Sequence, residues 1–227
     1  DLAGSGDVGF LDMTEALNSK EADHVYLLPE NGHPSRYGSA IIAEKLKDRL
    51  TQIGDYRSSH TFAERPELLG DLRPNQNQVA DEHEVLPYRM VTNSQGLRMK
   101  EELAFPKTKQ RILFLGDSFT YGSYLPYEHT FVGQLQKVFP EKEMVNAGKY
   151  GYTIVDEAAL FVDSAKFTEP DIVVLQVLEN DLFGLLSAPL QRFSREKKHF
   201  EPSAAEVAFF RSLKSSQQAG KESKIVE

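Results

Sequence analysis

Three residues of this chain, Ser118, Gly151 and Asn180, could do chemistry together, because each follows a short apolar run. Ile112, Leu113, Phe114 and Leu115 lead into Gly116, Asp117 and Ser118. Val145 leads into Asn146-Ala147-Gly148-Lys149-Tyr150-Gly151, and Ile172 to Leu178 lead into Glu179, Asn180 and Asp181. Runs of this kind are the pattern of strands buried on both faces of a parallel sheet. Open α/β sheets bind their ligands outside the carboxyl ends of such strands. Three strand ends would bring Ser118, Gly151 and Asn180 to one edge of the sheet. A plainer reading also exists: Asp and Ser after a strand serve as turn residues and helix N-caps, and Asn180 as a strand-end cap.

In chain order, GDSFTYG (116–122), NAGKYGYT (146–153) and LENDLFG (178–184) resemble the first three blocks of the SGNH (GDSL-type) hydrolases. The fourth block of that family, Asp-x-x-His followed by a helix, belongs downstream of the other three. The match in this chain lies upstream, at Glu30-Asn31-Gly32-His33-Pro34, and runs into the Ile-Ala-x-x-Leu pattern of Ile42 to Leu46. Glu30 stands where the family has Asp. Order and acid both depart from the family pattern.

An ester hydrolase needs a nucleophile, a base to take its proton and donors for the oxyanion. The resemblance implies Ser118 as nucleophile and His33 as general base, with Glu30 orienting the imidazole as the acid of a serine triad does. It also implies an oxyanion hole made of the Ser118 backbone N–H, the Gly151 backbone N–H and the Asn180 side-chain amide. Gly148 competes with Gly151 for that place. Asp23 is a candidate to replace Glu30, and a Ser-His dyad is a further possibility. Asp117 and Asp181 border the site and are expected to fix loops by hydrogen bonding. Tyr121, Tyr124, Tyr150 and Tyr152 flank the motifs and suit either pocket lining or packing. No cofactor is called for, and His24, His60, His83 and His129 show no spacing with acids that suggests a metal.

Composition bounds the rest. At 227 residues the chain suffices for one sizeable α/β domain. A net charge of −8 and a pI near 5.4 argue against a nucleic-acid surface, which needs a basic stripe. With no cysteine there is no disulfide framework, thiol nucleophile or Cys-based metal site. No apolar run approaches the ~20 residues of a membrane-spanning helix, and no signal peptide is visible. Localisation stays open between a bacterial periplasmic or secreted setting, the favoured one, and cytoplasm. Oligomeric state is not legible.

The elements that must position these residues follow in order. Val8 to Asp12 reads as a strand and Met13 to Leu17 as a helical turn. From Ser35 or Ser39 to about Ile53 runs an amphipathic helix with Ile41, Ile42, Leu46 and Leu50 on one face, stopped by Gly54. Residues 1–54 thus resemble the carboxyl-terminal part of an SGNH domain: strand, His33 loop and helix. Residues 55–109 are a lead-in, in which Val91 to Arg98 resembles the segment before the GDS strand of bacterial SGNH proteins, expected as a hairpin or meander covering a sheet edge. Residues 110–227 resemble the amino-terminal part of the domain. They run as a β-α-β-α-β series through Leu186, with a helix over Ile154 to Phe167. Beyond it come a polar loop (Ser187–Pro202), a helix (Ala204–Ala219) and the start of a strand (Ser223–Glu227).

The fold expected is a three-layer α/β/α domain with a mainly parallel sheet, its order circularly permuted. The alternative is that the chain holds halves of two tandem domains. An unpermuted domain would need on the order of 25 further residues between Glu227 and Asp1. The chain begins at Asp1 and stops in mid-pattern, which reads as a fragment, a mature piece or a rearranged chain. The function expected is hydrolysis of small O-acyl esters, acetylated carbohydrate among them, through an acyl-enzyme on Ser118. O-acyl transfer on the same fold is one rival, and a catalytically silent binding or scaffold domain is another.

Overall fold

The computed structural model describes residues 8–18, 22–27, 32–80, 87–178 and 181. Its elements are helices α1 (Thr14–Leu17), α2 (Ala22–Val25) and α3 (Arg36–Ile53), strands β1 (Asn77–Ala80), β2 (Tyr88–Val91) and β3 (Gln110–Leu115), and helices α4 (Ser118–Tyr121) and α5 (Phe131–Val138). Strand β4 (Lys142–Asn146), helix α6 (Ile154–Asp163) and strand β5 (Ile172–Leu175) follow. Strands β3, β4 and β5 form a parallel sheet in the order β4-β3-β5, and β1 and β2 form a separate antiparallel ribbon. The chain is therefore a mixed helix-and-strand protein with a small parallel sheet. No helix among the described residues is long and apolar enough to cross a membrane.

Strand β3 is central, and all six of its residues are buried. Successive side chains of a strand point to opposite faces, and the two sets enter different clusters. Ile112 and Phe114 pack with Met144, with Phe131, Val132 and Leu135 of α5, and with Ile42, Ala43 and Leu50 of α3. Leu113 and Leu115 pack with Val145, Leu160 and Ala165, and with Leu69, Leu97, Met99 and Leu103 of the lead-in. Burying each such aliphatic or aromatic side chain favours folding by roughly 1.5–3 kcal/mol. The continuous apolar run Ile112–Leu115 is thus the axis of the core.

Helix α3 begins and ends where its sequence indicates. Ser35 caps it, its hydroxyl accepting from the N–H groups of Tyr37 and Gly38, each at 3.1 Å. At the other end the Gly54 N–H donates to the Leu50 carbonyl. Ile42, Ala43 and Leu50 are buried, Ile41 and Leu46 are half-buried, and Glu44, Lys45 and Asp48 face solvent. Helix α6 starts at Thr153, whose N–H and hydroxyl both donate to Asp156 Oδ2. It ends at Asp163, and a tighter 3₁₀ turn at Ala165–Thr168 replaces the last stretch expected as helix.

One expectation is corrected. Val8 to Asp12 is not a strand: the segment is irregular, with Val8 80% and Phe10 90% exposed. A strand needs a ladder for its N–H and C=O groups, and none is offered to it among the described residues. Asp12 instead starts α1, its Oδ1 accepting from the Thr14 N–H at 2.8 Å. The lead-in forms a ribbon, as expected, and the segment after it meets the outer strand β4, the Arg98 N–H donating to the Asn146 carbonyl at 2.9 Å. Ala80, Tyr88 and Met90 pack on Tyr121 and Tyr124, beside the carboxyl ends of the strands. Arg98, fully buried, fastens it there by donating to the carbonyls of Val91 and Leu125 and lying over the Tyr121 ring. The expected elements beyond Leu186 lie outside the described residues.

Candidate active site

Ser118 opens α4 three residues after β3 ends, so the sheet aims it. Asp117 fixes the turn: its Oδ1 accepts from the Phe119 N–H at 2.9 Å, and Gly122 closes the helix with its N–H on the Ser118 carbonyl. Thr120 ties α4 to the end of β5 through a 3.0 Å hydrogen bond from its hydroxyl to Gln176 Oε1.

His33 arrives from the opposite end of the chain. Tyr26 and Pro34 form an antiparallel bridge, the Leu27 N–H donates to the His33 carbonyl, and the Ser35 N–H donates to the Val25 carbonyl. The Ser35 hydroxyl also donates to the His24 carbonyl. Helix α3 then packs along α5, with Gln134 Nε2 reaching the Arg36 carbonyl. These contacts put His33 Nε2 2.8 Å from Ser118 Oγ. The imidazole is flanked by the rings of Phe119 at 5.4 Å and Tyr124 at 5.3 Å. Burial lowers its pKa from 6.5, and the charge of Asp117 opposes that in part. The imidazole is accordingly neutral at neutral pH, the state in which it can accept a proton.

The loop after β4 is tied to the same turn. Asn146 is fully buried, its Nδ2 donating to the Thr120 carbonyl and its Oδ1 accepting from the Gly148 N–H. The Lys149 N–H donates to the Gly116 carbonyl at 3.1 Å. Gly148 lies so close to α4 that a side chain there would run into the Tyr121 N–H and the Thr120 backbone. Gly151 has φ +74°, a conformation that favours glycine. The Gly148 N–H is thus occupied by Asn146, whereas among the described residues the Gly151 N–H has no acceptor. Between the two glycines, the geometry favours Gly151 as a donor to a ligand.

Comparison of the chain with family models, curated proteins and solved structures finds no match.

Of the residues singled out from sequence, His33 and Ser118 are brought into hydrogen-bond contact, and Gly151 follows a loop joined to the Ser118 turn. Glu30 and Asn180 lie outside the described residues, as does the side chain of Asp23. Asp117 and Asp181 do bind loops as expected, Asp181 Oδ2 accepting from the Leu178 N–H at 2.5 Å. The tyrosines divide. Tyr121 is buried packing, Tyr124 borders His33, and Tyr150 is exposed. Tyr152 donates to Asp71 Oδ2, which also takes Lys149 Nζ at 2.5 Å and so pins both sides of Gly151. Among the described residues no group of three His, Cys, Asp or Glu side chains could hold a metal ion.

Two residues of the site were not found from sequence. Asn146 could have been: an Asn at a strand end with Gly two residues later is an Asx-turn signal. Glu157 could not. In the first turn of a helix it reads as a solvent-facing complement to the helix dipole, yet it is fully buried, within reach of the Asp117 charge.

Proposed function

We propose that this chain is an SGNH-type serine esterase, a three-layer α/β/α domain in permuted order that hydrolyses small O-acyl esters. The observation that carries the reading is the 2.8 Å contact between His33 Nε2 and Ser118 Oγ, made by two segments that the motif resemblance pairs but the chain order separates. Its second support is the shared core of α3 with β3 and α5, which suits one folded domain better than two halves.

The chemistry follows from the atoms. Ser118 Oγ attacks the acyl carbonyl carbon while its proton passes to His33 Nε2. The carbonyl oxygen becomes an oxyanion held by the backbone N–H groups of Ser118 and Gly151 and by the Asn180 amide. The intermediate collapses, the C–O bond to the alcohol breaks, and the imidazolium gives its proton to the departing alcohol. Water then attacks the acyl carbon while His33 takes its proton, the bond from Ser118 Oγ to the acyl carbon breaks, and the imidazolium returns its proton to Ser118 Oγ as the carboxylic acid leaves. Glu30 holds the imidazole and offsets its transient charge. Acylated carbohydrates are one fitting substrate class.

A fluorophosphonate probe tests this directly, because it labels only an activated serine. Labelling should be confined to Ser118, lost in Ser118→Ala and strongly slowed in His33→Ala. An unlabelled folded protein would identify a binding or scaffold domain. Preferential transfer to an added sugar hydroxyl over water would identify an acyltransferase.

A further inference from the structure

Glu157 lies fully buried in the first turn of α6, and neither of its carboxyl oxygens has a hydrogen-bond partner. The charged groups acting on it are all acids: Asp181, then Asp117 at the nucleophile turn, then Asp156 on its own helix. Asp181 is itself fully buried with Oδ1 unpartnered. No lysine or arginine among the described residues forms an ion pair with Glu157 or Asp181. A buried carboxylate facing like charges is costly, and the group takes up a proton instead. Burial first, and the neighbouring acids second, push Glu157 up to about 8.

We propose that Glu157 is a positioning residue of this site that works as a neutral carboxylic acid, its proton keeping a further negative charge from forming among Asp181, Asp117 and Asp156. The proposal rests on the esterase reading for its effect on rate, though not for the proton itself. Asp117 touches the nucleophile, with Ser118 Oγ 3.4 Å from Asp117 Oδ2. When Glu157 loses its proton to solvent, its carboxylate opposes the oxyanion that forms on the substrate carbonyl above the Asp117 turn. In partly screened protein, one added charge near the turn is worth a loss of about tenfold in rate. The site therefore carries an alkaline limit set by a residue that touches neither substrate nor nucleophile.

Two measurements test this. The first is infrared spectroscopy of the folded protein with carbon-13 glutamate, which separates glutamate from aspartate bands. A protonated glutamic acid band should be present at neutral pH, fade as pH rises through about 8, and be missing in Glu157→Gln. The wild-type titration needs no variant, so it stands even if the variant fails to fold. The second is kcat/KM for p-nitrophenyl acetate against pH. Wild type should lose about tenfold across the alkaline limb, whereas Glu157→Gln, neutral at every pH, should lose far less. A purely structural role would lower the rate equally at every pH. Absence of the glutamic acid band, or an unchanged alkaline limb in Glu157→Gln, overturns the proposal. A band with no hydrolysis at any pH overturns the esterase reading and leaves the buried proton standing.

Discussion

His33 Nε2 and Ser118 Oγ stand 2.8 Å apart although the two residues are 85 positions apart in the chain. Each is supported independently. Ser118 is aimed by the end of the central strand and the Asp117 turn. His33 is set by the Tyr26–Pro34 bridge and by α3, which packs on α5. The pair can therefore be altered one residue at a time without dismantling the other's support.

Ser118→Ala and His33→Ala should each lower kcat/KM toward an activated ester by about 10⁶-fold, leaving the residual catalysis of the oxyanion donors. The double variant should be little worse than either single one, because residues acting as a unit are strongly non-additive. Both side chains are only half-buried, so stability should change by less than about 1 kcal/mol. Steady-state kinetics and chemical unfolding of the three variants check this.

The acid limb of the pH profile should fall below the ordinary imidazole value of 6.5, because burial lowers the His33 pKa more than Asp117 raises it. Protonated His33 cannot accept the serine proton, so activity is lost as pH falls through that lowered value. Asp117→Asn keeps an oxygen for the Phe119 N–H but removes the charge. It should move the limb further to the acid side. A limb above the imidazole value, or one moved to the alkaline side by Asp117→Asn, would contradict this arrangement.

Gly148→Ala should destabilise the protein by about 1–3 kcal/mol, since the new methyl group forces α4 away from the loop after β4. Because α4 carries Ser118, kcat should fall as well. Gly151→Ala meets a different obstacle, a backbone at φ +74°, and should cost about 1–2 kcal/mol. Thermal melts with parallel rate measurements distinguish the two.

Stability should also respond to pH through the buried acids. Asp181 is raised from 3.8 to about 6, chiefly by burial, and Glu157 from 4.5 to about 8. A raised acid holds more protons folded than unfolded, so its contribution is full below the unfolded value and is lost as pH rises through the folded one. The unfolding free energy should therefore decline between about pH 4 and pH 8. Asp181→Asn should flatten the lower half of that decline and Glu157→Gln the upper half, each by on the order of 1–3 kcal/mol. Urea unfolding at a series of pH values checks it.

The sequence made the central strand legible because Ile112–Leu115 is apolar without interruption, a pattern that only double-sided burial explains. Helix α3 was legible from its cap, its apolar face and its stop. Val8–Asp12 was misread because strand formation depends on a neighbour, which composition does not reveal. The lead-in ribbon was expected, but its seat over Tyr121 and Tyr124 depends on Arg98, and nothing in the sequence indicates that this arginine is buried. The His33–Ser118 pairing was legible only through motif resemblance, since a single histidine has no periodicity. Glu157 stayed hidden because helix position predicts its backbone and says nothing of the acids that surround it.

The seating of α3 against β3 and α5 has a consequence for how the chain is made. Ile42, Ala43 and Leu50 leave the ribosome well before Ile112, Phe114 and Phe131, the residues that cover them. The apolar face of α3 must wait uncovered while some sixty more residues are synthesised, several seconds at ordinary elongation rates. So distant a pairing makes for slow folding. His33 is thus made early and meets Ser118 late: no nascent chain that ends before β3 can hold the pair. Chaperone demand should peak in that interval, then drop once α5 emerges.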